Sequence, residues 1–144
     1  MRFWDSSALV PLVVEEEHSR ACRALVRADP TMVVWALTRT EIISALWRRH
    51  RDRTLDASEV RRALLRLDRW AERWNEVEGL VPVRDQADRL LRLHRLRAAD
   101  ASQLGAALVA VDHRPRHRTF VSSDEVLLDA AEREGFDVLR PGLL

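Results

Sequence analysis

The sequence predicts an α/β fold, a three-layer α/β/α sandwich with a mostly parallel central sheet. Short runs rich in Val, Phe, Trp and Leu alternate with longer segments in which apolar residues recur every three or four positions. Strands that alternate with helices favour a parallel sheet covered on both faces. No linker, repeat or low-complexity segment interrupts the 144 residues, so we expect a single domain spanning residues 1–144.

Apolar runs bounded by turn residues predict the strands, which we place at residues 3–4, 32–35, 80–83, 119–122 and 136–139. Helical spacing predicts helices at residues 7–15, 18–28, 37–50, 56–78, 84–96, 101–111 and 125–134. The longest of these carries an apolar stripe from Val60 to Trp74, and Gly79 is expected to end it. Helices 37–50 and 56–78 are joined by a short loop, which predicts an antiparallel pair.

The composition is that of a soluble globular protein, with 47% hydrophobic and 33% charged residues. No apolar run approaches the ~20 residues that span a bilayer. Asp5 interrupts the first apolar stretch before a signal-peptide core can form. Cys22 is the single cysteine and is expected in the core, so no internal disulfide can form. These features favour a cytoplasmic protein with no membrane association.

Four acidic residues stand where a strand or loop gives way to a helix. They are Asp5, Glu41, Asp100 and Asp124. In an open parallel sheet the carboxyl ends of the strands and the N-termini of the following helices share one edge, where ligands bind. We therefore expect the four carboxyl groups to converge there.

Helix capping is the structural alternative for each acid. Asp5 is a favourable N-cap for the helix at residues 7–15. Three sequence pairs have the spacing of a capping box, in which a side chain three residues into the helix reaches back to the cap. These pairs are Thr38 with Glu41, Asp100 with Gln103, and Ser122 with Glu125. Capping can explain any one acid, whereas convergence would explain all four together.

Converging carboxylates repel one another, and a divalent cation removes that conflict. Donors that are all oxygens select Mg²⁺ or Mn²⁺ over zinc. Such an ion can activate water and polarise a phosphodiester oxygen. Neither Cys22 nor the five histidines show the spacing of a catalytic triad or of metal ligands. Ser6 and Ser122 could support the site by hydrogen bonding a water ligand or a phosphate, and capping is again the alternative for both.

Four segments carry these acids in order along nearly the whole chain. They are DSSAL from Asp5, EIISAL from Glu41, DASQLGAA from Asp100, and VSSD, which ends at Asp124. Together they resemble the signature blocks of PIN-domain ribonucleases, and most closely those of the VapC-type toxins of type II toxin–antitoxin systems. Trp4, beside the first acid, is bulkier than the aliphatic residue expected there and could narrow the pocket.

The resemblance implies a PIN-like fold and a Mg²⁺- or Mn²⁺-dependent endoribonuclease. It also implies a homodimer and a cognate antitoxin that covers the active site. Asp5, Glu41, Asp100 and Asp124 match the catalytic acids of the family, and Ser122 matches its Ser or Thr. Asp5, Asp100 and Asp124 would hold the metal directly or through water. Two other readings remain open, namely an RNA-processing or structure-specific nuclease, and a silent binding module whose acids only cap helices.

Net charge is +1 and all 24 basic residues are arginine, which alone argues neither for nor against nucleic acid. Arg97, three residues before Asp100, and Arg49 are the arginines we expect to contact RNA phosphates, with a solvated surface as the alternative. Of three tryptophans in the predicted helix pair, we expect two in the core, while part of the apolar stripe could receive an antitoxin helix. These are Trp47, Trp70 and Trp74.

Overall fold

The computed structural model describes residues 1–142, which form five strands and seven helices. The strands are β1 (Arg2–Trp4), β2 (Met32–Trp35), β3 (Asn75–Val77), β4 (Thr119–Val121) and β5 (Asp137–Leu139). The helices are α1 (Ser6–Val13), α2 (Ser19–Ala28), α3 (Thr38–Arg51), α4 (Ala57–Ala71), α5 (Leu80–Leu93), α6 (Ala98–Ala110) and α7 (Glu125–Arg133).

The sheet has the order β3-β2-β1-β4-β5, and every neighbouring pair is parallel. The chain extends the sheet from β1 to β3 on one side and then continues with β4 on the other side of β1. Ligand sites of open α/β sheets lie at such a reversal, beyond the carboxyl ends of the strands. Trp4 pairs with Val121, and the Asp5 amide donates to the Val121 carbonyl at 2.9 Å. The residues after β1 and β4 therefore meet at this edge.

Alternation of side chains along the strands builds one core on each face of the sheet. Trp4, Val34 and Val121 pack with α1, α2, α3 and α4 on one face. Phe3 and Phe120 stack, with ring centroids 5.5 Å apart, on the other face among α5, α6 and α7. The predicted three-layer α/β/α fold with a parallel sheet is confirmed.

Trp4 and Cys22 both lie in the first of these cores. Trp4 is 0% exposed, so its indole packs beneath the sheet edge and does not narrow the pocket as its position beside Asp5 had suggested. Cys22 is buried as expected, and burial raises the pKa of its thiol to about 12. A thiol of that kind is a packing residue and not a nucleophile.

The predicted strand at residues 80–83 is wrong, as is the extension of the preceding helix to residue 78. Gly79 is the N-cap of α5, and Pro82 falls in the first turn, where a missing N–H breaks no helical hydrogen bond. The strand that pairs with β2 is β3, which is an edge strand with exposed Asn75 and Glu76. Edge strands tolerate polar residues, so β3 lacks the apolar run that marks the inner strands.

The three predicted capping boxes are also wrong. The N-cap of α3 is Leu37, without a side-chain bond, and α6 begins two residues before Asp100, with Arg97 as its N-cap. Asp124 caps α7 through a hydrogen bond to the Leu127 amide. Asp5 caps α1 as expected. Asp100 is the third residue of α6, and its carboxylate accepts a hydrogen bond from the backbone N–H of Arg97. Glu41 caps no helix, so capping does not account for Glu41.

Helices α3 and α4 pack against each other and carry Trp47 and Trp70, while Trp74 lies between α4 and β3. Trp74 is buried and Trp70 is half-buried, donating to the Leu12 carbonyl at 3.3 Å. Trp47 is 41% exposed, so it is the one of the three that lies on the surface. Over residues 1–142, no helix is both long and apolar enough to cross a membrane.

Candidate active site

Asp5 lies at the floor of the site, at the junction of β1 and α1. Its side chain is almost fully buried and accepts hydrogen bonds from the Ser7 amide at 3.3 Å, the Ser7 hydroxyl, and the Ser122 hydroxyl at 2.8 Å. Burial raises the pKa of Asp5 despite these hydrogen bonds, and the negative charge of Asp124 adds to the effect.

Ser7 and Ser122 connect the start of α1 to the turn between β4 and α7. Their hydroxyl oxygens are 3.2 Å apart. The Ser7 hydroxyl also accepts a hydrogen bond from the Ser123 N–H, and the Ser122 hydroxyl accepts one from the Asp124 N–H, both at 3.0 Å. Ser122 was a predicted supporting residue, and Ser7 was missed. The sequence signal for Ser7 is its position two residues after Asp5, from which a hydroxyl can donate to the carboxylate of a capping aspartate.

Ser6 is the other predicted supporting serine. Its hydroxyl lies 3.4 Å from Asp5 Oδ1, a long contact, and it lines the cleft described below. The Ser6 hydroxyl also hydrogen-bonds Glu41 and lowers the pKa of that carboxyl, but burial raises this pKa by more. The structure therefore places Ser6 between two of the acids.

Glu41 projects from the first turn of α3 and is half-buried. Gln103 on α6 donates from Nε2 to Glu41 Oε2, and also to the Thr38 hydroxyl at 3.0 Å. Burial raises the pKa of Glu41, and the charges of Asp5 and Asp100 raise it further. Gln103 and Thr38 were missed as site residues. The sequence signal for Gln103 is an amide side chain within an otherwise apolar stretch of α6, and the structure buries that side chain.

Asp100 and Asp124 project from the N-terminal turns of α6 and α7. Burial raises the pKa of Asp100, the charges of Asp124 and Asp5 raise it further, and Arg97 opposes them. Asp124 Oδ1 accepts the Leu127 amide at 3.0 Å. Each of Asp5, Glu41 and Asp100 therefore lies close enough to another of the four acids for that acid's charge to raise its pKa.

A cleft of about 930 Å³ opens above these acids and is lined by Glu41, Asp100 and Asp124. Asp5 lies beneath it, joined to the lining residue Ser7. Four arginines line the rim, namely Arg48, Arg49, Arg95 and Arg97. Both arginines predicted to contact RNA are among them. Neighbouring arginines in the sequence, and those of the segment after α6, do not line the cleft. They are Arg51, Arg53, Arg92, Arg114, Arg116 and Arg118.

Comparison with known proteins identifies the family. The family model of the PIN domain matches residues 2–133, which is most of the chain. The chain belongs to the PIN domain family. Its fold is similar to the crystal structure of FitAcB from Neisseria gonorrhoeae, with a TM-score of 0.69 and 15% sequence identity over 100% of both chains. A search of curated proteins found no match.

The acids of this PIN domain carry uncompensated negative charge. None of the four forms an ion pair within residues 1–142. Across the same residues, no three His, Cys, Asp or Glu side chains are already close enough together to hold a metal ion. The donors are all carboxylate and hydroxyl oxygens, so their chemistry fits a hard divalent cation with water completing its coordination.

Proposed function

We propose that this PIN domain is a Mg²⁺- or Mn²⁺-dependent endoribonuclease and the toxin of a VapC-type toxin–antitoxin pair. The observation that carries the proposal is a cleft that four arginines line together with Glu41, Asp100 and Asp124, with Asp5 directly beneath it. Acids of this kind attract a cation, and arginines attract the phosphates of the strand that the cation would act on.

Each acid has a distinct proposed role. Asp5, Asp100 and Asp124 would hold the metal, and Glu41 completes the catalytic set. The metal, when bound, polarises a phosphodiester oxygen and makes water a better nucleophile. Ser7 and Ser122 fix the orientation of the Asp5 carboxylate through their hydrogen bonds. Gln103 fixes Glu41 in the same way from α6.

The rim arginines would bind the RNA backbone on either side of the acids. Arg97 and Arg95 approach from the α5–α6 connection, and Arg48 and Arg49 from the C-terminal half of α3. Because such contacts release condensed counterions, RNA affinity should fall steeply as salt concentration rises. Among residues 1–142, no aromatic side chain lines the cleft, so phosphate contacts and not base stacking would supply most of the affinity.

RNA cleavage tests the mechanism directly. Wild-type protein should cleave RNA in Mg²⁺ or Mn²⁺ and lose activity in chelator, and Asp5→Asn should be inactive. The exposed acid Asp85 offers a matched control, since Asp85→Asn alters no residue of the cleft and should retain activity. Undiminished cleavage in chelator, or by Asp5→Asn, would contradict the proposal.

The biological role needs a separate test, because an RNA-processing nuclease could share this cleft. We propose a cytoplasmic homodimer that is inhibited by a cognate antitoxin. Expression should arrest growth, and co-expression of the neighbouring small gene product should relieve the arrest. A silent binding module is disfavoured by Glu41, which caps no helix. Such a module would also show no thermal shift in millimolar Mg²⁺ or Mn²⁺.

A further inference from the structure

One arginine of the cleft rim differs from the other three in being paired with an acid. Arg49 Nη1 lies 2.7 Å from Glu16 Oε2. Within residues 1–142, Arg48, Arg95 and Arg97 form no ion pair. The free protein therefore offers RNA three uncommitted arginines and a fourth that a carboxylate already holds.

Glu16 holds Arg49 from outside the cleft. It lies in the turn between α1 and α2 and lines the neighbouring cavity, but it does not line the cleft itself. Its backbone N–H donates to the Ser19 hydroxyl at 2.9 Å, and its carbonyl accepts the Ser19 N–H at 3.1 Å. Ser19 is fully buried, so it anchors the backbone of Glu16 beside the end of α3.

The backbone of Arg49 is anchored as well. Its carbonyl accepts the Thr54 N–H at 2.9 Å and the Thr54 hydroxyl at 3.0 Å. The side chains of Arg49 and Glu16 are 35% and 29% exposed, so the pair is partly shielded but still in contact with water. Anchored partners need less ordering than two free surface side chains, which favours the pair. Its exposure leaves Arg49 accessible to a competing anion.

We propose that Glu16 limits the affinity of the cleft for RNA by competing with a backbone phosphate for Arg49. A phosphate bound through both terminal nitrogens of the guanidinium needs the nitrogen that Glu16 occupies. A strand that reaches Arg49 must therefore displace the carboxylate, and only a strand that places a phosphate there gains the fourth arginine. The inference rests on the proposed nuclease function and assigns a specificity-determining residue to its substrate cleft.

The test is Glu16→Gln, measured with a short fluorescent single-stranded RNA whose anisotropy reports binding in chelator. Ion pairs near the surface change an equilibrium constant by up to about fivefold, so Glu16→Gln should bind RNA about threefold more tightly at low salt. The gain should shrink as the salt concentration rises, because the competing charges are screened. With Mg²⁺ or Mn²⁺ and subsaturating RNA, kcat/KM should rise by a similar factor.

The matched control is Glu15→Gln. Glu15 is the preceding residue and lines the same neighbouring cavity, but it pairs with Arg23, which does not line the cleft. Both substitutions remove one negative charge from the same turn, and only Glu16→Gln frees an arginine of the rim. Glu15→Gln should therefore leave the affinity for RNA close to that of wild type. In an Arg49→Gln background, Glu16→Gln should bring no gain.

Thermal melts check that each variant folds. A gain that Glu15→Gln reproduces, or that persists without Arg49, would overturn the inference, since it would be a general effect of charge. Equal affinities of wild type and Glu16→Gln, with normal RNA cleavage, would overturn the inference alone and leave the nuclease function intact. The expected gain without cleavage by any of the proteins in metal would reject the nuclease and keep the competition for Arg49. No RNA binding by wild type or Glu16→Gln would overturn both.

Discussion

Gln103 donates a hydrogen bond from its side-chain amide to Glu41, joining α6 to α3 across the candidate site. Gln103 is almost fully buried and also holds the Thr38 hydroxyl, so its amide has a fixed orientation. Its Oε1 has no hydrogen-bond partner among residues 1–142. A buried amide oxygen without a partner destabilises the fold. The presence of Gln103 in an otherwise apolar helix therefore indicates that its hydrogen bond to Glu41 has a role in the site.

Replacement of Gln103 by leucine should lower RNA cleavage about tenfold or more through kcat, with little change in KM. The physical reason is that Glu41 loses the donor that orients its carboxylate, while the arginines proposed to contact phosphate are unchanged. Steady-state kinetics on one RNA substrate measures both constants. Gln86→Leu on α5 is the matched control and should behave as wild type, and an equal loss in both variants would contradict a specific role for Gln103.

Removal of the Ser122 hydroxyl should destabilise the protein by about 1–3 kcal/mol at neutral pH, because a buried carboxylate loses a hydrogen bond. Ser122→Ala takes away the 2.8 Å contact to Asp5 and the acceptor of the Asp124 amide. Urea unfolding of Ser122→Ala, Ser7→Ala and the double variant measures the effect. We expect the two losses to be non-additive, since both serines act on one carboxylate. Ser44→Ala, at an exposed position, should be neutral.

The metal-free protein should be stabilised by neutralising Asp100. Burial and the neighbouring acids raise the pKa of Asp100 in the folded state, so that state binds more protons than the unfolded chain. Its contribution to the free energy of unfolding is therefore unfavourable above the folded pKa and disappears below the unfolded pKa of ~4. In chelator at pH 7, Asp100→Asn should raise Tm by about 3 °C, and the difference should shrink as the pH falls toward 4.

Divalent metal should reverse this order, because the ion stabilises only a protein that can bind it. Millimolar Mn²⁺ at pH 7 should raise Tm of wild type and leave Asp100→Asn unchanged. Differential scanning fluorimetry with and without chelator makes the comparison. An Asp100→Asn variant that is less stable than wild type in chelator would show that the acids are not in conflict.

A methyl group added at Gly105 should destabilise the protein by about 1–3 kcal/mol through overpacking. A Cβ there would lie 3.0 Å from the Val83 carbonyl and 3.2 Å from the Ala87 amide, both backbone atoms of α5 that cannot easily move. Gly79→Ala is the matched control, since its Cβ would meet nothing closer than 3.6 Å. Thermal melts should separate the two variants by several degrees, and equal Tm values would refute the close approach of α5 and α6.

Sequence reasoning succeeded where one residue carries a local signal. The capping aspartates after β1 and β4 are adjacent to apolar strands, so the edge they share follows from parallel pairing alone. It left two interpretations of Glu41 open, as a site acid or as part of a capping box, because that spacing is the same in sequence whether the glutamate turns back to its own helix or reaches Gln103, 62 residues away. Likewise, β3 is polar because it pairs on one side only, and no local pattern distinguishes it from the end of α4.

The placement of β1 in the middle of the sheet has a consequence for folding during synthesis. β1 leads directly into Asp5, yet one of its two partners is β4, which begins at Thr119 and is synthesised much later. Until that segment is synthesised, Asp5 lacks Ser122 and the cleft lacks Asp124. Because domains fold as units during synthesis, a nascent chain should lack a complete site until β4 and the turn that follows it are exposed. Under the proposed nuclease function, the nascent chain would therefore not cleave RNA before the segment that carries Asp124 has been made.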